Sequence, residues 1–287
     1  MALPPECDPD AQPPLPLPAA EGYAREAWRR AAAVDAGGLV VTRGMPYGAH
    51  RLQRYDVYAP RGARNRPVLV FWHGGGWTNG YREWVAFMAP HVCALGLVFV
   101  APSYRLVPEV RLDGVVADAL SALAHVVAQA GGFGGDATRL LLSGHSAGGH
   151  LAALAALRGT RQDAGLAACV RACLPVSAIL DLHHPAPPPD SLEERVYTMT
   201  LGDPLDDARL SPVAWCAGNR VPFVLSVGER DTGRVLLSNR RAQALLELQE
   251  GASTLQVWEG ADHFATHLAL DSAAHPWYRA LQALAER

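Results

Sequence analysis

Two short runs carry residue types that could perform acyl transfer: His73-Gly74-Gly75-Gly76-Trp77, and, further along, Gly144-His145-Ser146-Ala147-Gly148. The second places a serine in the G-x-S-x-G pattern of a sharp turn that exposes its hydroxyl, and the first offers backbone amides free of side chains that could hold an oxyanion. A serine hydroxyl is a poor nucleophile at neutral pH. It needs a base within hydrogen-bond reach and a third group that fixes the base's tautomer. Val227-Gly228-Glu229-Arg230-Asp231 and Gly260-Ala261-Asp262-His263-Phe264 supply such groups, in the order Ser, Asp, His. Ser146 is thus the expected nucleophile, His263 the base and Asp231 the acid. Asp231 is preferred to Glu229 because it lies deeper in its loop, and Asp262 is expected to brace the loop beside His263. The expected oxyanion donors are the amides of Gly75, Gly76 and Ala147.

These residues need a scaffold that brings distant segments to one edge, and the pattern of the chain provides it. Val68-Leu69-Val70-Phe71-Trp72 is a short, continuously apolar run, as expected of a strand buried on both faces, and it delivers His73 and the glycines at its end. A helical stretch from Glu83 to Leu95, a strand Leu97 to Ala101, a helix from about Leu112 to Ala130 and a strand Leu140 to Leu142 follow. Ser146 comes directly after that strand, and the alanine- and leucine-rich stretch Ala147 to Leu157 favours helix. Leu174 to Ile179, Pro222 to Val227 and Thr254 to Trp258 read as further strands, Arg234 to Gln249 and Ser272 to Glu286 as helices. Strand and helix alternate, which predicts an α/β fold with a mainly parallel central sheet, helices on both faces, and a ligand site beyond the carboxyl ends of the strands. Leu39 to Thr42 and Leu52 to Tyr58 read as antiparallel edge strands, and a helix is expected near Tyr23 to Ala33.

Composition narrows the partners. The chain has 287 residues, 49% of them hydrophobic, enough for a large single domain. A net charge of −3, with both signs scattered, gives no footprint for nucleic acid or an anionic membrane surface, so a small molecule is the expected partner. The Pro-rich residues 1–20 read as a disordered or extended tail without the basic and apolar regions of a signal peptide, and no segment of about 20 uninterrupted apolar residues is evident. A cytoplasmic location is the default expectation, and assembly as a homodimer is left open. Residues 21–287 are expected to form one domain, in which 181–218, with its Pro-Ala-Pro-Pro-Pro run, makes a small cap or lid. The five cysteines show no metal-ligand spacing, and Cys169 and Cys173 are expected to be buried free thiols.

The other histidines have plainer readings. His73 is expected to scaffold the glycine loop, His183-His184 to lie on the surface and not to bind metal, and His150 to pack locally. His145 either packs locally or lines the pocket. His267, four residues after His263, is the weaker choice of base. Trp77 and Tyr104 are expected either to contact an aromatic or acyl group of the substrate or to pack in the core.

With those residues placed, the chain after its N-terminal tail resembles the α/β-hydrolase superfamily, and in particular its kynurenine formamidase (arylformamidase) branch and the neighbouring hormone-sensitive-lipase-like esterases. Gly144 to Ala152, Pro108-Glu109-Val110-Arg111-Leu112, Gly228-Glu229-Arg230-Asp231 and Asp262-His263-Phe264 are similar to that branch. The chain departs from the animal formamidases at Gly76, where they carry an aromatic residue. The resemblance implies Ser146, Asp231 and His263 as a catalytic triad, and hydrolysis of carboxylic esters or activated N-formyl or aryl amides through an acyl-enzyme, without a cofactor. A ligand-binding protein on the same fold, or a small peptidase, are the alternatives.

Overall fold

The computed structural model describes residues 12–15 and 17–287. Eight strands are formed: β1 (Leu39–Pro46), β2 (Arg54–Pro60), β3 (Arg66–Trp72), β4 (Val98–Pro102), β5 (Gly135–His145), β6 (Val170–Val176), β7 (Phe223–Arg230) and β8 (Ser253–Asp262). They lie in one sheet in the order β1-β2-β4-β3-β5-β6-β7-β8. Strands β3 to β8 pair in parallel, whereas β1 and β2 add an antiparallel edge. This is the expected α/β architecture, with the two early strands antiparallel as their alternation suggested.

Side-chain alternation along the central strands builds two cores. Val68, Val70 and Trp72 of β3, with Val98 and Val100 of β4, enter one cluster, while Leu69, Phe71, Phe99 and Ala101 enter the other. All nine are fully buried, and full burial of such a side chain is worth about 1.5–3 kcal/mol. Because both faces are covered, the strand ends are where polar side chains and ligand space can meet.

Several expectations are corrected. The stretch expected as one helix from Glu83 to Leu95 divides into a 3-10 segment, Arg82–Met88, and a short α-helix, Ala89–Ala94. Pro90 explains the break, since it has no N–H to continue an α ladder. The N-terminal helix spans Pro18–Ala32, so the last three residues of the expected tail are helical. Pro18 stands in its first turn, where proline's fixed φ favours a start and its missing donor costs nothing. Of that tail, residues 1–11 and 16, Cys7 included, lie outside the described residues. The helical stretch Leu112–Phe133 is, by length and composition, apolar enough to cross a membrane, with a mean hydropathy of 1.3, although Asp113 and Asp118 interrupt its apolar residues. Leu112, Val115, Ala119, Leu123 and Val126 on one of its faces pack into the core.

Candidate functional site

Ser146 sits between β5 and the helix Ala147–Leu154, with φ 53° and ψ −116°. That left-handed backbone is uncommon for a serine and stores about 1–3 kcal/mol of strain. Its neighbours hold it there: Ser146 N–H donates to Val176 O at 2.9 Å, and His150 N–H donates to Ser146 O at 2.9 Å. The glycines around it are required by contact. A β-carbon on Gly148 would stand 2.1 Å from Trp72 O, and one on Gly144 2.4 Å from Gly148.

The three side chains expected to act together are brought together. His263 Nε2 lies 2.9 Å from Ser146 Oγ, and His263 Nδ1 lies 2.8 Å from Asp231 Oδ1. Asp231 is buried, and its carboxylate also accepts from Ser177 Oγ at 2.5 Å and from the Thr232 amide at 2.9 Å. Burial alone would raise its pKa, but the His263, Ser177 and Thr232 hydrogen bonds outweigh it and hold the carboxyl below its ordinary range. Glu229, by contrast, is exposed and accepts from the Gly260 amide. Asp262 caps the helix His263–Leu268, accepting from the Phe264 and Ala265 amides, and so fixes the start of the element that presents His263.

Sequence reasoning did not single out Ser177 or Thr266. Ser177 follows β6, and its φ of 47° turns its hydroxyl to Asp231. Thr266 donates to His263 O at 2.8 Å. The signal for Ser177 was its place just beyond a strand's carboxyl end.

The glycine loop faces the same space. Gly75 has φ 119° and Gly76 φ 62°. Gly75 O accepts from the Thr78 and Asn79 amides at 3.1 and 3.0 Å, which closes the turn. Gly75 and Gly76 line the cavity that also holds Ser146 and His263. Ala147 is the first residue of its helix, where an amide has no intrahelical acceptor. His73 Nδ1–H donates to Gly74 O at 2.7 Å, and burial pushes its pKa down to about 4.

Tyr104 does not line the cavity. It is fully buried, stacks on His73 at 4.4 Å and donates to His73 O at 3.0 Å, so it supports the loop from beneath. Trp77 does line the cavity, its ring set edge-on to His150 at 5.1 Å. His145 both lines the cavity and packs: its Nε2–H donates to His263 O at 2.8 Å, and its ring stacks on His267. Burial, then the nearby His263 and His267, hold its pKa well below the ordinary value. His150 donates to Leu210 O, while His183 bonds Asp207. No metal-binding group of His, Cys, Asp or Glu exists among the described residues. Cys93, Cys169, Cys173 and Cys216 are buried free thiols.

The cavity has a volume of about 300 Å³. Two of its walls come from outside the central sheet. Residues 192–200 contribute Leu192, Glu193, Arg195, Val196, Met199 and Thr200, and the N-terminal segment contributes Leu15, Leu17, Ala20 and Tyr23. The latter wall is anchored on the glycine loop: the Gly80 amide donates to Gln12 Oε1 at 3.0 Å, and Asn79 Nδ2 donates to Pro13 O at 2.7 Å.

A parallel-sheet fold with the turn at Ser146 and the loop of glycines before it defines an α/β-hydrolase. Within that class the chain belongs to the BD-FAE family, whose model matches residues 55–239. It is 28% identical to a kynurenine formamidase of Salmo salar, over 77% of this chain and 74% of the relative. It is 33% identical to a probable isoprenylcysteine alpha-carbonyl methylesterase of Oryza sativa subsp. japonica, over 43% of this chain but only 30% of the relative, so it spans less than a third of the plant proteins of that kind that it matches. Among solved structures, the carboxylesterase EstE1 from a metagenomic library superposes with a TM-score of 0.76 at 20% identity, covering 94% of this chain and 97% of that one. A thermophilic esterase of Thermogutta terrifontis gives 0.64 at 26% identity, covering 80% and 84%.

Proposed function

We propose that this chain is a serine hydrolase that cleaves carboxylic esters or activated N-formyl or aryl amides of small molecules through an acyl-enzyme. The observation that carries this reading is the continuous chain from Ser146 through His263 to Asp231, at 2.9 and 2.8 Å, opening into a cavity edged by the glycine loop. Esterases and formamidases among its relatives support it.

In the proposed reaction, Ser146 Oγ attacks the carbonyl carbon while His263 Nε2 takes its proton. Asp231, kept ionised, accepts from Nδ1–H and stabilises the imidazolium that forms. Negative charge gathers on the former carbonyl oxygen, toward which the Gly75, Gly76 and Ala147 amides are the donors. As the tetrahedral adduct collapses, His263 gives its proton to the leaving alcohol or amine. Water, deprotonated by the same imidazole, then releases the acid and restores Ser146.

Turnover of p-nitrophenyl acetate that disappears in folded Ser146→Ala, together with fluorophosphonate labelling of Ser146, tests this reading. Failure to label Ser146 would favour a ligand-binding role on the same fold. Kynurenine formamidase similarity over most of the chain makes N-formyl aryl amides the first substrates to compare with simple aryl esters.

A further inference from the structure

The cavity is largely apolar, yet one part of its wall carries formal charge: among the described lining residues, Glu193, Arg195 and Arg234. Arg234 stands in the first turn of the helix Gly233–Leu246, three positions after Asp231. Its side chain is only 14% exposed. Arg82, which is fully buried, is closely paired, at 2.7 Å from Asp56 and 3.0 Å from Glu83. Arg234 is placed differently. Its Nη2 donates to Leu182 O at 3.3 Å, and its Nη1 lies 4.0 Å from Glu193 Oε1, an ion pair too long to be a hydrogen bond.

A guanidinium has five N–H donors in a fork that matches a carboxylate. Burying it with one hydrogen bond and no carboxylate within hydrogen-bond distance leaves most of that capacity unused, and burial opposes its charge while Glu193 and, further off, Asp181 favour it. Arg195 on the same wall adds a second cation, so the two arginines outnumber Glu193 there. An anionic group in the cavity would supply the missing partner.

We propose that Arg234 receives a carboxylate of the substrate, so that the preferred substrates are esters or amides bearing a free carboxylate away from the scissile carbonyl and beside an apolar or aromatic body. This rests on the hydrolase reading above. The competing account is that Arg234 and Glu193 merely latch residues 192–195 to the helix Gly233–Leu246. The two differ in sign: for a latch, removing either partner has the same effect, whereas for an anion site Glu193 competes with the substrate and Arg234 attracts it.

The test compares four chromogenic esters as two matched pairs. In one, the carboxylate is on the acyl side, as in 4-nitrophenyl hydrogen glutarate against 4-nitrophenyl valerate; in the other it is on the leaving group, as in 3-carboxy-4-nitrophenyl butyrate against 4-nitrophenyl butyrate. In the unmodified protein, one anionic ester is expected to show a kcat/KM at least about ten-fold above its neutral partner, carried by KM, as a charge-assisted hydrogen bond would give. Arg234→Gln should collapse that ratio, Arg234→Lys should retain part of it, and Glu193→Gln should increase it. No preference within either pair, or equal shifts of both substrates in Arg234→Gln and Glu193→Gln, overturns the proposal while leaving the hydrolase reading intact. Absence of turnover with all four esters overturns both. If Arg234→Gln does not fold, the opposite responses of Arg234→Lys and Glu193→Gln decide it.

Discussion

The Tyr23 hydroxyl is hydrogen-bonded to Nδ1 of His267 at 2.8 Å, joining residues 244 positions apart in sequence. His267 belongs to the short helix that begins at His263, and Arg30 reinforces the junction by donating to Leu268 O. The N-terminal helix therefore braces the element that presents the proposed base, while Tyr23 itself packs on Phe264, His145 and Trp84. Tyr23→Phe keeps the ring contacts and removes one hydrogen bond from a fully buried histidine. It should lower unfolding free energy by about 1–2 kcal/mol, measured by urea denaturation. An unchanged midpoint would show that the bond contributes nothing.

The contrast between Asp231 and Glu229 gives a sharper test of the site. Asp231→Asn keeps the size of the side chain but offers His263 a different hydrogen-bonding group, which permits the wrong tautomer. Esterase kcat should fall by about 10³–10⁴-fold. Glu229→Gln, whose carbonyl can still accept from the Gly260 amide, should remain within a few-fold of the parent. Equal losses in the two variants would remove Asp231 from its proposed role.

Acid should destabilise the fold at a pH set by histidines that the proposed reaction does not use. Burial pushes His73 and His150 down to about 4 and His267 to about 3, whereas an unfolded histidine titrates near 6.5. All three fold neutral. Between the two values the unfolded chain binds more protons, so the stability they lend is fully present above about pH 6.5 and is lost as pH falls toward 4. Asp231, held below its ordinary range, adds a loss at still lower pH. Unfolding free energies at pH 7.5 and 5 should therefore differ by roughly 1–2 kcal/mol for each of these histidines. His150→Gln, which retains a donor for Leu210 O, should flatten the slope by its share; a flat profile in the parent would contradict the buried neutral state.

The parallel core was legible because strands covered on both faces become continuous apolar runs, as in Val68 to Trp72, and because residues just beyond their ends carry the polar chemistry. Ser146, Asp231 and His263 all stand at such places. The walls of the cavity were less legible. Leu15 and Leu17 lie in a Pro-rich stretch with no periodicity to mark a buried face, and Gln12 and Pro13 meet Gly80 and Asn79 only through the tertiary fold. Tyr104 follows a strand end just as Ser146 does, yet its ring turns under the loop onto His73. Spacing places a residue at an edge, but neighbouring volume decides which way its side chain turns.

Gly75 and Gly76 are adjacent and both adopt positive φ, but their substitutions should differ. A β-carbon on Gly75 would stand 2.0 Å from Asn79 O, within the turn that the Gly75 carbonyl closes. Backbone cannot yield that far without opening the loop, so Gly75→Ala should abolish activity and lower the melting temperature sharply. At Gly76 the nearest atom is Thr78 Oγ1 at 3.8 Å, which leaves only the cost of a left-handed backbone, about 1–2 kcal/mol. Gly76→Ala should therefore fold and retain its amide donor, with a modest loss of stability and less than ten-fold loss of kcat. The same open space should admit a larger side chain: Gly76→Tyr should fold and alter KM more than kcat by narrowing the cavity beside Trp77. A collapse of kcat in Gly76→Ala comparable to that in Gly75→Ala would show instead that the loop depends on glycine at both positions.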